Sequence, residues 1–149
     1  MASAAWMFAA EGPFGDPSAL TTRPDDPLVR EWKALAATQL NAAAGAGDVT
    51  ALMLWGLQNL AGSDLTDKHP VLGYGYLLAV GLIEAERTGP NHPSARTFAE
   101  GSELLNAMAG HLTPAQRAAG MAEARRIAAQ VKARRARAAN RSAALPAPI

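Results

Sequence analysis

Three histidines, His69, His92 and His111, are the first side chains here to weigh for chemistry, because imidazole serves both as a metal ligand and as a base near neutral pH. Their placement favours neither role. His69 and His92 each precede a proline, His111 stands two residues before Thr113 and Pro114, and none has a second ligand four residues away on a helix. They read as ordinary residues at helix entrances. Asp64 and Asp67 share the segment SDLTDKH with Ser63 and Thr66, but without the spacing of a calcium loop, so a cap and a solvated turn are expected there. Glu84 and Glu86, and Glu100 and Glu103, offer paired carboxylates for acid–base work, yet they fall beside apolar stripes on helices, where solvated carboxylates are the ordinary finding. There is no GxSxG and no glycine-rich phosphate loop, and GYG lies inside an uncharged run with the composition of a buried helix. The absence of cysteine excludes disulfides, thiolate catalysis and cysteine-ligated zinc, and fits either redox compartment. The expectation is a protein that is not an enzyme and has no metal or cofactor.

Cations are the other chemical resource. The formal net charge of +1 conceals two opposite halves: Met1–Gln116 holds 6 basic and 12 acidic residues, whereas Arg117–Ile149 holds 8 basic residues and only Glu123. Arg125, Arg126, Arg134, Arg135 and Arg137, with Arg117, Lys132 and Arg141, form a basic helix able to contact phosphates, and such binding falls steeply with salt. No aromatic residue is interleaved for base stacking and no base-reading helix is recognisable. A solvated face, or an intramolecular partner for the acidic remainder, is the expected role; nucleic acid or another acidic partner is the alternative.

The elements that carry these residues are helices. A chain of 149 residues with 49% hydrophobic content suits one domain that buries roughly 68–70% of its unfolded surface. Its 35 alanines and 5% aromatic content favour helices in close contact over a sheet. Helix after helix opens on proline and closes on glycine, as expected when a missing N–H costs nothing at the first helical position and a positive φ is needed past the last. Ala2–Ala10 is a short helix, followed by a proline-stiffened loop to Asp26. Asp26 and Pro27 open a helix through Leu28, Trp32, Leu35, Ala36 and Leu40, ending at Gly45 or Gly47; Asp48 caps Val49–Ala61, stopped by Gly62. Pro70 opens a helix to about Arg87. Pro93 opens another, with Ala95, Phe98, Leu105 and Met108 inward, ending at Gly110. Thr113, Pro114 and Gln116 open the last with a capping box. Its stripe of Gly120, Ala124, Ile127 and Val131 runs into Arg134 and Arg135, so core contact should fade near Val131, with a helical extension fraying into a disordered tail. The richest stretch, Ala43–Ile83, reads as a buried hairpin with Trp55 at its centre, in which Gly73 and Gly75 admit neighbouring helices and Tyr74 and Tyr76 pack or line a groove.

The longest uncharged apolar run, Val71–Ile83, is 13 residues, short of the ~18–20 that span a membrane. No secretory signal is legible in MASAAWMFAAEG, which has no basic start and meets Glu11 early. A soluble protein is expected, with its compartment open: cytoplasmic on the sequence as it stands, periplasmic if a leader has been removed.

The hairpin resembles the Sel-one-like repeat, a bacterial and eukaryotic relative of the tetratricopeptide repeat. Ala43, Ala44, Gly47 and Ala51 reproduce the spacing that joins one repeat to the next, Gly56 and Gly62 follow at the family's intervals, and Leu65, Asp67, Val71 and Tyr74 continue it. Trp55 stands where leucine is usual, Asp67 comes one residue early, Pro70 is atypical, and the match is confined to about residues 43–79. WMFAAEG with the helix around Trp32 looks like a degenerate preceding repeat, and the last two helices pair like a further one. The resemblance implies an all-α fold, a short α-solenoid of about three stacked helical hairpins made of five main helices and a short N-terminal helix. Residues 1–133 would form the repeat domain, with 134–149 as a basic flexible extension. It further implies a scaffold or adaptor for other proteins. Partner-binding side chains are then expected from Trp6, Gln58, Arg96, Glu100 and Glu103.

Overall fold

The computed structural model describes residues 4–144, and among them there are helices and no strand. In chain order these are α1 (Ala4–Glu11), a 3₁₀ turn (Pro13–Gly15), α2 (Ala19–Thr22), α3 (Pro27–Gly45), α4 (Val49–Ala61), α5 (Pro70–Thr88), α6 (Pro93–Arg96), α7 (Glu103–Ala109) and α8 (Pro114–Ala144). No helix among the described residues is long and apolar enough to cross a membrane.

The caps are where the sequence places them. Asp26 accepts from Leu28 N at 2.9 Å and Asp48 from Ala51 N at 3.0 Å, each supplying an acceptor to an N–H that has no partner within its helix. Thr113 N donates to Gln116 Oε1 at 2.9 Å while Gln116 N donates to Thr113 Oγ1 at 3.1 Å, the reciprocal capping box. The α4–α5 loop is tied back by His69 N to Asn59 O at 2.7 Å.

Helix α5 is the hub. It lies along α4 on one side and α8 on another, α6 covers a third, and α3 and α1 continue the packing outward from α4. Small residues set these approaches. A Cβ at Gly73 would lie 2.4 Å from Leu60 N of α4, and one at Gly81 2.6 Å from Phe98 O, so in both places α5 touches the backbone of its neighbour. Tyr74 packs onto Gly120 of α8, Tyr76 is buried, and Trp55 is 6% exposed in the main core cluster. Ala44 and Ala51 are fully buried, and Gly47, at φ 88°, brings the α3–α4 turn beneath Val131 of α8.

Several expectations need correction. The helix opened by Pro93 is two helices: Thr97 Oγ1 takes up Pro93 O, Gly101 turns at φ 83°, and Ser102 caps α7 by accepting from Leu105 N. Phe98, Leu105 and the half-buried Met108 still face the core, so an apolar stripe survives a break in the helix that carries it. The proline-rich loop contains a 3₁₀ turn and the single turn of α2, because the Asp16 side chain accepts from Ser18 N and closes a local turn. The last helix lies along α5 rather than along α7. Beyond Val131 the described side chains are exposed and α8 stays helical to Ala144; the end of the expected 134–149 extension, residues 145–149, lies outside the described residues.

Candidate functional site

Three of the expected partner-binding residues come together. Arg96 at the end of α6, Glu100 in the following turn and Glu103 at the start of α7 line one open cleft of about 750 Å³, with Pro93, Thr97, Ser102 and Leu104. All three charged side chains are exposed, and among the described residues none of them is in an ion pair. Leu104 is 46% exposed, so the cleft offers an apolar surface between charges. The break between α6 and α7 creates this concavity, and an unbroken helix would have presented a convex face. Trp6 and Gln58 do not line it. Trp6 is half-buried on α1 against the core, and the Gln58 carbonyl accepts from Ser63 Oγ at 2.8 Å at the end of α4.

The basic residues divide into two groups. Arg126 pairs with Glu123 one turn earlier, and Lys132 reaches Glu86 of α5 at 2.9 Å, the one ion pair between α8 and the acidic body among the described residues. The Glu123 carboxyl is held below its ordinary value by that Arg126 guanidinium. Arg125, Arg134, Arg137 and Arg141 are exposed and meet no carboxylate. Arg135, also exposed, reaches back to donate to Gly47 O at 3.4 Å, in the turn between α3 and α4. Together Arg134, Arg135, Arg137 and Arg141 line a shallow cleft against Ala46. Among the described residues the expected neutralisation of the acidic body by the basic helix is thus confined to Lys132; Arg126 pairs within α8, Arg117 and Arg135 donate to uncharged oxygens, and Arg125, Arg134, Arg137 and Arg141 face solvent.

A polar cleft of about 360 Å³ between α3, α5 and α8 escaped sequence reasoning. It is lined by Asn41, Tyr76, Arg126, Gln130 and Arg134, with Tyr76 Oη donating to Asn41 Oδ1 at 3.1 Å. Burial is the main cause that pushes the Tyr76 phenol above its ordinary value, so the hydroxyl stays a donor. The signals in the sequence were the four-residue spacing of Arg126, Gln130 and Arg134 and the expectation that Tyr76 packs or lines a groove.

Two of the residues first weighed for chemistry make structural contacts. His92 Nδ1 accepts from Ser94 N and caps α6, and the Ser94 hydroxyl lies 2.8 Å from the same nitrogen. Glu84 is 4% exposed and bonded to Arg87 at 2.7 Å; the Arg87 guanidinium is the main cause that holds its carboxyl below the ordinary value. No group of three or more metal-ligating side chains clusters among the described residues. No family model, curated protein or solved structure matches the chain.

Proposed function

We propose that the chain is a non-enzymatic protein–protein interaction module, an adaptor, scaffold or inhibitor of the immunity type, built as a short α-solenoid of Sel-one-like hairpins. One observation carries the reading: Arg96, Glu100 and Glu103, exposed and in no ion pair among the described residues, line a single open cleft beside an exposed leucine. Charges at a rim give register and specificity while the apolar floor supplies contact area. The proline-to-glycine helix frame and the buried alanines of the central hairpin support the repeat architecture. Capture of partners from the source cell with wild-type and Glu100→Arg/Glu103→Arg bait tests the proposal. A cognate protein should be weakened tenfold or more, about 1.4 kcal/mol, by the charge reversal, and replacing Arg134, Arg135 and Arg137 by glutamine should leave its capture undiminished. A partner held equally by both baits would place the binding surface elsewhere.

A second reading, binding of nucleic acid or another acidic partner by α8, is favoured by the exposed arginines at 134, 137 and 141. Tight binding of a defined nucleic acid at ~150 mM salt, lost with the three glutamine replacements, would establish it in place of the first.

A further inference from the structure

The two carboxylates of the cleft and the arginine stripe of α8 complement each other in charge, and within one chain no residue of α8 lines the cleft. Arg134, Arg137 and Arg141 recur at i, i+3 and i+7, so they share one face of α8 and span ~10.5 Å of its length. They are exposed and meet no carboxylate among the described residues. Glu100 and Glu103 are likewise exposed and meet no cation. The start of α8 is pinned beside α7, where Arg117 donates to Asn106 Oδ1 at 3.1 Å and to Ala109 O at 3.2 Å. From Arg117 to Arg134 a continuous helix travels ~25 Å at 1.5 Å per residue along α5, passing Gly75 with Gly120 and Glu86 with Lys132. The far end is held in that course by Lys132 on Glu86 and Arg135 on Gly47 O, and no α8 residue lines the cleft.

We infer that the occupant of the Arg96–Leu104 cleft is the arginine-bearing end of α8 from a second copy of this chain. The inference rests on the reading of that cleft as a protein-binding surface, and names its partner. Charge selects the pairing: 12 acidic against 6 basic residues up to Gln116, and 8 basic against one acidic residue after it, make the two ends of different copies attract. Shape permits it, because α8 beyond Val131 is built mostly of alanine between its arginines and forms a slim rod, and Leu104 gives those methyl groups an apolar surface to meet. Since donor and acceptor are different surfaces of one chain, each copy that gives its helix still has an open cleft. Such a contact is heterologous and propagates unless the rotation closes a ring.

The test is the solution mass of nuclease-treated full-length protein by light scattering and sedimentation, at ~20 mM and ~300 mM salt, where the Debye length falls from about 20 Å to under 6 Å. Wild-type mass should rise with concentration past that of a dimer at low salt, with association at least tenfold weaker at high salt. Arg134→Gln/Arg137→Gln/Arg141→Gln removes the donor and Glu100→Gln/Glu103→Gln removes the acceptor without creating a complementary pair between the two variants, so each variant alone should be monomeric. Mixed, they should form a one-to-one pair that stops there, because the pair retains one inactive donor and one inactive acceptor. A wild-type chain that stays monomeric at ~200 µM and low salt overturns the inference, and so does association that either variant leaves intact or a mixture that stays monomeric. Growth seen only before nuclease treatment would assign the stripe to nucleic acid. Failure here leaves the interaction-module reading standing, since that depends on capture of another protein by the cleft.

Discussion

At the scale of single residues, glycines decide how close the helices come. A Cβ on Gly73 would meet Leu60 N and Gly56 O, at 2.4 and 2.7 Å, and backbone atoms cannot rotate aside as a side chain can. Gly73→Ala should therefore destabilise by ~1–3 kcal/mol in denaturant melts despite the better helix propensity of alanine. Gly45, still helical and with only Arg134 Nη1 at 4.0 Å, is the control: alanine there should stabilise by ~0.5–1 kcal/mol. Trp55→Ala should cost ~3–5 kcal/mol, as truncation of a buried aromatic does. The Glu84 carboxyl is buried and its folded value lies below the ordinary 4.5, held there chiefly by Arg87. Its contribution is thus complete above pH 4.5 and is lost as the pH falls through the lowered folded value. Melts at a series of pH values should show wild-type stability falling on the acid side of 4.5, with a shallower fall for Glu84→Gln.

Helix ends were the most legible elements, because a cap is local chemistry. Asp26, Asp48 and the pair Thr113 and Gln116 bond as their spacing requires, and Thr113→Ala should cost ~1 kcal/mol, read as a lower midpoint in thermal melts with an unchanged fold. The break between α6 and α7 was hidden, since Ala95, Phe98, Leu105 and Met108 keep a helical period that a helix and a turn satisfy equally well. Gly101 followed by Ser102 was the available sign, a residue suited to positive φ ahead of a capping hydroxyl. For the candidate site this mattered most. The residue types of Arg96, Glu100 and Glu103 could be read from the chain, but the concavity that unites them exists only because the helix stops.

At the scale of the whole molecule, the burial pattern of α8 was legible from its stripe and its neighbour was not: periodicity tells which face is covered and not by what. The same stripe sets the expectation for shortening the chain. Among the described residues, 135–144 contribute only exposed side chains and one long hydrogen bond from Arg135, so removing residues 135–149 should leave the melting temperature nearly unchanged in dilute solution at physiological salt. Removing α8 altogether would strip one side of α5. The order of synthesis makes that second state a passing reality for every copy. Ile83 leaves the ribosome with α4 already made, whereas the 48 residues from Glu84 to Val131, which complete the cover, need roughly 2–10 s more at ~5–20 residues per second. For that interval the nascent chain displays Tyr74, which packs on Gly120, and the surface around Gly75 and Gly81, on a helix that carries three glycines. Chains arrested before residue 114 should bind holdase chaperones in a cell-free translation, and chains arrested with α8 fully emerged should not.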